Sequence, residues 1–161
     1  MRMLSYGRAF VASLSIFVAA AGPAGVQAAP QDDVRATVQR MVEAMNTGDF
    51  TTALSLCSSA TIIDQVAPYV FTGADGCTRW IGAVRASIGD LGITAMNVTV
   101  DPPMSIDVHD TSAYIVSPMR LAATMKGERV LKNAIGTFVL ARGADGWKFT
   151  QIVWSRPNLS S

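Results

Sequence analysis

The spacing of apolar residues changes once along this chain, and that change narrows the possible folds more than any other feature. From Asp32 the apolar positions Val34, Val38, Met41, Val42 and Met45 recur at helical spacing, about 3.6 residues per turn. After Gly92 the period drops to about 2, the alternation of half-buried strands. Helices first and a long run of strands afterwards means α+β rather than alternating α/β. The first helix starts under an Asp32 or Asp33 cap and stops at Asn46-Thr47-Gly48, where glycine supplies a left-handed turn. Asp49 reads as the N-cap of a short second helix over 50–57, with Ala53, Leu54 and Cys57 on one side. Thr61-Ile62-Ile63-Asp64 is a short β-prone run, and a loop holding Pro68 and Gly73 follows. Asp75 opens a third helix with Cys77, Trp80, Ile81, Val84 and Ile88 on its apolar face, ending at Gly89. Strands are expected over 93–100, 104–108, 112–126, 129–142 and 147–154, as one antiparallel meander with turns at His109-Asp110, Lys126-Gly127-Glu128 and Gly143-Ala144-Asp145-Gly146. A sheet that curls over the helices leaves a cavity between them.

The N-terminus sets the compartment. Residues 9–21 read AFVASLSIFVAAA, preceded by Arg2 and Arg8 and followed by Pro23 and small residues. This positive, apolar, small-residue order is that of a secretory signal peptide, with cleavage expected after Ala28 because Val26 and Ala28 fill the two small-residue positions. The competing reading is a retained membrane anchor, for which the run falls short of the roughly 20 residues a span needs. No cysteine lies near the cut, so a lipid-modified N-terminus is not expected. Removing residues 1–28 takes two arginines from the 13 Lys+Arg and leaves 11 basic residues against 12 acidic ones. Residues 29–161 then form a single domain, exported to a periplasmic or secreted location, with enough chain for one hydrophobic core. Nothing in that charge balance points to nucleic acid. Cys57 and Cys77 in an exported chain read as a possible disulfide, or else as two buried thiols packed as small apolar residues. A zinc site is not expected, since His109 is the one histidine and no close cysteine pair exists. No cofactor is expected.

Three stretches carry a resemblance. Gln39-Arg40-Met41-Val42-Glu43-Ala44-Met45-Asn46-Thr47-Gly48-Asp49 resembles the first-helix ending of the nuclear-transport-factor-2-like superfamily, specifically its SnoaL-like and ketosteroid-isomerase-like members. Ala60-Thr61-Ile62-Ile63-Asp64, followed by Phe71-Thr72-Gly73, resembles their first strand and the entry to their third helix. Val153-Trp154-Ser155-Arg156-Pro157-Asn158-Leu159-Ser160 resembles the closing strand of a bacterial ketosteroid isomerase. The resemblance implies an α+β cone: three N-terminal helices packed on a strongly curved antiparallel sheet. It also implies a deep apolar pocket between them and frequent dimerisation through the sheet's outer face. It does not imply one activity, because this fold hosts isomerases, hydratases, lyases, cyclases and plain binding modules.

The isomerase mechanism of that family uses a carboxylate on the first strand to move a proton, and a Tyr and a protonated Asp to stabilise the oxyanion. Asp64 falls at the position of the base, but Met41 stands where the Tyr would be and Gly136 where the Asp would be. Oxyanion donors typically contribute about 3–4 kcal/mol each, so steroid isomerisation by that route is not expected.

Asp64 remains a candidate acid/base, since a carboxylate pointing into an apolar site is suited to proton transfer; the plainer reading is an acid at a strand end bonded to the next loop. Tyr69 lies in the loop over the expected pocket mouth and would donate to a bound carbonyl, or stand as a half-exposed loop aromatic. If the resemblance holds, Met41, Met45, Trp80, Met119, Leu121, Phe138 and Trp154 line the pocket, though each singly reads first as core. Arg120 neighbours Met119 on a strand and faces the other way. His109 beside Asp110 sits at a hairpin tip, and Ser155 has no nucleophile-elbow context. Two functions follow. One is a module that binds a small apolar molecule or a partner without chemistry; the other is a cofactor-independent lyase, isomerase or hydratase using Asp64. A homodimer through the sheet fits either, and neither involves nucleic acid or, after cleavage, a membrane.

Overall fold

The computed structural model describes residues 30–156. The signal segment expected over 1–28 lies outside them, as do the last residues of the isomerase-like tail.

Helix α1, Pro30–Thr47, buries Val34, Val38, Met41 and Ala44 on one face; it starts before the expected Asp32 or Asp33 cap, so both acids lie within its first turn, where they face the positive end of the helix dipole rather than capping it. Gly48 then turns the chain at φ +74°. Helix α2, Phe50–Leu56, is capped by Asp49, whose carboxylate accepts the Thr52 backbone N–H at 3.0 Å and the Thr52 hydroxyl at 2.6 Å. It ends one residue sooner than expected. Cys57 is already extended and begins β1, Cys57–Ile63, which is longer than the β-prone run and stops before Asp64. The reason is non-local: β1 pairs in parallel with the last strand of the chain, an interaction that a local pattern cannot show. A short strand β2, Val70–Phe71, pairs with the end of β1 where a loop was expected, placing Phe71 in the core. Helix α3, Gly76–Asp90, follows Asp75, which stands at the N-cap but ion-pairs with Arg79 at 3.0 Å instead of capping.

The remaining strands are β3, Ile93–Val100; β4, Ser105–His109; β5, Ser112–Met125; β6, Glu128–Gly143; and β7, Gly146–Ser155. Their order in the sheet is β2-β1-β7-β6-β5-β3, with β4 also on β5. The sheet is curved, open and mixed. The expected antiparallel pairing holds from β7 through to β3, but the meander runs only from β4 to β7: β3 skips β4 and pairs β5 beside it, and β1 runs parallel to β7. Long β5 pairs with β6 along its whole length, from Ser112–Ala141 to Met125–Glu128.

The core fills the concave side. Ile115 of β5, Leu140 of β6 and Phe149 of β7 are buried together with Val34 and Val38 of α1, and Phe149 meets Phe138 edge to face at 5.7 Å. Two cross-links fix the helices to the sheet. The Asn46 side-chain amide donates to the Val98 carbonyl and accepts the Val98 N–H, both at 2.8 Å, so the end of α1 pairs with β3 as a strand would. Cys57 at the start of β1 and Cys77 in the first turn of α3 form a buried disulfide, with Cα atoms 6.2 Å apart.

Candidate functional site

A cavity of about 340 Å³ remains where α1 and α3 face the sheet. Strand alternation determines which side chains reach it. From Met119, every second residue of β5 points inward, bringing Leu121, Ala123 and Met125 to the wall. Helical spacing does the same on α1 for Met41 and Met45, and α3 contributes Trp80, Val84 and Ile88. All seven residues assigned to the pocket through the resemblance lie on this wall: Met41, Met45, Trp80, Met119, Leu121, Phe138 and Trp154. Trp80 is buried and Trp154 half-buried.

Asp64 sits one residue past β1, half-buried, at the same wall. Its Oδ2 accepts the indole N–H of Trp80 at 2.7 Å, and its Oδ1 accepts the backbone N–H of Gln65. The Asp64 N–H donates to the Tyr69 carbonyl at 3.0 Å, closing a tight loop in which Tyr69 takes a left-handed φ of +75°. That geometry leaves Tyr69 59% exposed and off the cavity wall. The structure therefore does not bring Tyr69 to the pocket beside Asp64. Where the isomerase resemblance would need two oxyanion donors, Met41 is a buried thioether and Gly136 has no side chain. His109 pairs with Asp107 at 3.1 Å rather than with Asp110, and both are exposed. Arg120 is exposed and bonded to Asp101 at 2.6 Å, and the Ser155 hydroxyl donates to the Ile135 carbonyl.

Several wall residues were not anticipated. Met96, Met125 and Lys132 belong to the wall, together with Gln65 and Arg156. Alternation from Met119 reaches Met125, and alternation back from Phe138 reaches Lys132, so both carried a signal. Gln65 and Arg156 sit beyond the ends of β1 and β7, where no periodicity operates; Arg156 Nε donates to Gln65 Oε1 at 2.6 Å. Among the described residues, no three His, Cys, Asp or Glu side chains are grouped as a metal would require, and no helix is long and apolar enough to cross a membrane. A second depression, about 510 Å³, lies between α1, α2 and the β6–β7 turn. Its Asp33, Arg40, Arg142, Asp145 and Lys148 mix both charge signs, and it lacks the apolar lining of the first.

Comparison with known proteins bears on this arrangement. The family model described as the SnoaL-like domain matches residues 34–158. No curated protein sequence matches the chain. Among solved structures, an NTF2-like family protein from Streptomyces avermitilis, provisionally named a dehydratase, superposes with a TM-score of 0.68 at 18% identity, covering 81% of this chain and 99% of that one. A protein of Novosphingobium aromaticivorans provisionally named an aromatic ring hydroxylase gives 0.67 at 15% identity, with 80% and 89% covered. A provisionally named ketosteroid isomerase from Shewanella frigidimarina gives 0.62 at 19% identity, with 78% and 97% covered. These likenesses establish the cone fold, and the three names describe three different reactions on it.

Proposed function

The chain belongs to the SnoaL-like domain family, and from that premise we propose that it is a binding module holding one small apolar molecule between its helices and sheet. The observation that carries this reading is the composition of the cavity wall. Met41, Met45, Met96, Met119 and Met125 all line it, between Trp80, Phe138 and Trp154. Methionine fills irregular space and adapts its shape, so such a wall accommodates a ligand without a rigid template. Apolar area removed from water there contributes about 25 cal/mol per Å². The cavity volume lies at the lower end of the range for small-molecule sites, about 300–1,000 Å³.

Asp64 supports a second reading, a cofactor-independent lyase, isomerase or hydratase in which its carboxylate moves a proton. Its place on the wall favours that reading; its company does not. The groups it touches are an indole N–H and a backbone N–H. Among the described residues no second carboxylate, histidine or tyrosine lines the cavity to share proton transfer.

The same proposal places the protein outside the cytoplasm, periplasmic or secreted, after loss of residues 1–28. The signal-like order of that segment and the Cys57–Cys77 disulfide support it. Pairing of two copies through the outer face of the sheet, where Tyr114 and Leu131 stand exposed, belongs to it as well.

Titration with N-phenylnaphthylamine, a neutral apolar fluorophore, tests the binding reading. The expected result is saturable binding of one probe per chain with quenching of tryptophan emission, abolished by Leu121→Trp, which fills the cavity. A response that never saturates, or that survives Leu121→Trp unchanged, overturns it.

A further inference from the structure

The apolar wall contains three charged side chains, and their arrangement is unequal. Asp64 spends its two oxygens on the Trp80 indole and the Gln65 backbone. Lys132 and Arg156 have no carboxylate partner among the described residues. Arg120, by contrast, on the outer face of the neighbouring strand, is paired with Asp101. Among the described residues, the two cations on the wall outnumber the single carboxylate, and neither of them is ion-paired.

Lys132 and Arg156 also border the same space. Ile135 is the partner of Ser155 in the terminal pair of the β6–β7 register; Arg156 follows Ser155 just beyond β7, and Lys132 lies three residues along β6 from Ile135. Arg156 and Lys132 are both long side chains on the wall of one cavity, so a single bound group could receive both charges. Gln65 makes the arginine selective. By accepting Nε at 2.6 Å it fixes the guanidinium plane with a neutral oxygen, which leaves the charge intact and the terminal nitrogens free to donate. Lys132 is half-buried and shares the wall with Val130, Met125 and Leu121, where a bound anion would meet its charge.

We infer that the ligand is an apolar monoanion, whose body fills the methionine-lined space and whose carboxylate or sulfonate head is received by Lys132 and Arg156. This deepens the binding reading above and rests on it. The head group distinguishes the ligand from a sterol, a hydrocarbon or any other neutral molecule of the same size, and makes these two cations the specificity determinants.

A matched pair of probes separates the two claims: N-phenylnaphthylamine, which is neutral, and anilinonaphthalene sulfonate, which adds one negative charge to the same body. The wild-type protein should bind both saturably. In the Lys132→Met/Arg156→Gln double variant, the ratio of anionic to neutral probe affinity should fall about 10-fold, as expected for loss of charge-assisted hydrogen bonds. Raising the ionic strength should weaken the anionic probe alone. An unchanged ratio in a double variant that melts like the wild type overturns the anion assignment and leaves the pocket standing. Saturable binding of neither probe to the wild type removes both. Should the double variant fail to fold, Lys132→Gln and Arg156→Gln singly give the same ratio test, each expected to lower it and each refuting the assignment if it does not.

Discussion

The sulfur of Met119 occupies the space into which a side chain at Gly136 would grow, and the Phe138 ring closes the rest of that space. The position where the isomerase resemblance would hold an oxyanion-stabilising acid is thus filled by apolar atoms from two neighbouring strands. Gly136→Ala should therefore overpack the sheet's inner face and lower stability by about 1–3 kcal/mol. Thermal melts of the two proteins check it; a variant as stable as the wild type would show that Met119 yields freely.

Asp64→Asn keeps an oxygen to accept the Trp80 indole while removing the proton acceptor. On the binding reading the variant folds normally and binds N-phenylnaphthylamine within about threefold of the wild type, half a decade in affinity. On the enzyme reading it loses a factor of about 100 or more in turnover of whatever substrate is found. Measuring both quantities on one preparation decides between them.

The Cys57–Cys77 disulfide closes a loop with a sequence separation of 20. In the chain-entropy account such a loop contributes about 3 kcal/mol. Reduction, or the Cys57→Ser/Cys77→Ser pair, should shift denaturant unfolding by that order while leaving probe binding in place. Thiol counting on the oxidised protein under denaturing conditions should find none; two per chain would remove the cross-link from the account.

Asn46→Ala removes both hydrogen bonds to Val98 and leaves that backbone without its partner. A loss of about 1–2 kcal/mol is expected. Amide exchange at Val98 should also accelerate far more than at residues of β6. Uniform acceleration across the sheet would mean that the amide does not act locally.

At the start of α2, hydrogen bonds from the Thr52 side chain and backbone hold the Asp49 carboxyl below its ordinary value. A folded-state value lower than the unfolded one stabilises the protein above the unfolded value and is lost as pH falls through the folded one. Asp49→Ala should thus lower the melting temperature near neutrality, with the gap to the wild type narrowing in acid. A gap independent of pH would show that the cap does not depend on charge.

What the sequence determined by itself was much of what neighbours in the chain set. The Asp49 cap, the stop at Gly48, the strand over 93–100 and the turn at Lys126-Gly127 were legible because helix spacing, strand alternation and turn chemistry act over a few residues. The same alternation put Met119 inside and Arg120 outside, and it held a signal for Lys132 that the resemblance to known pockets did not bring forward. Tertiary structure decided the rest. That β1 begins at Cys57 and runs parallel to β7 depends on hydrogen bonds between residues roughly ninety positions apart, for which no local pattern exists. Asp64 meets the Trp80 indole, Tyr69 turns to solvent, and Gln65 orients Arg156 because strand ends and a loop closed by its own backbone bonds converge in space. Periodicity ends where strands end, and Asp64, Gln65 and Arg156 stand just past those ends.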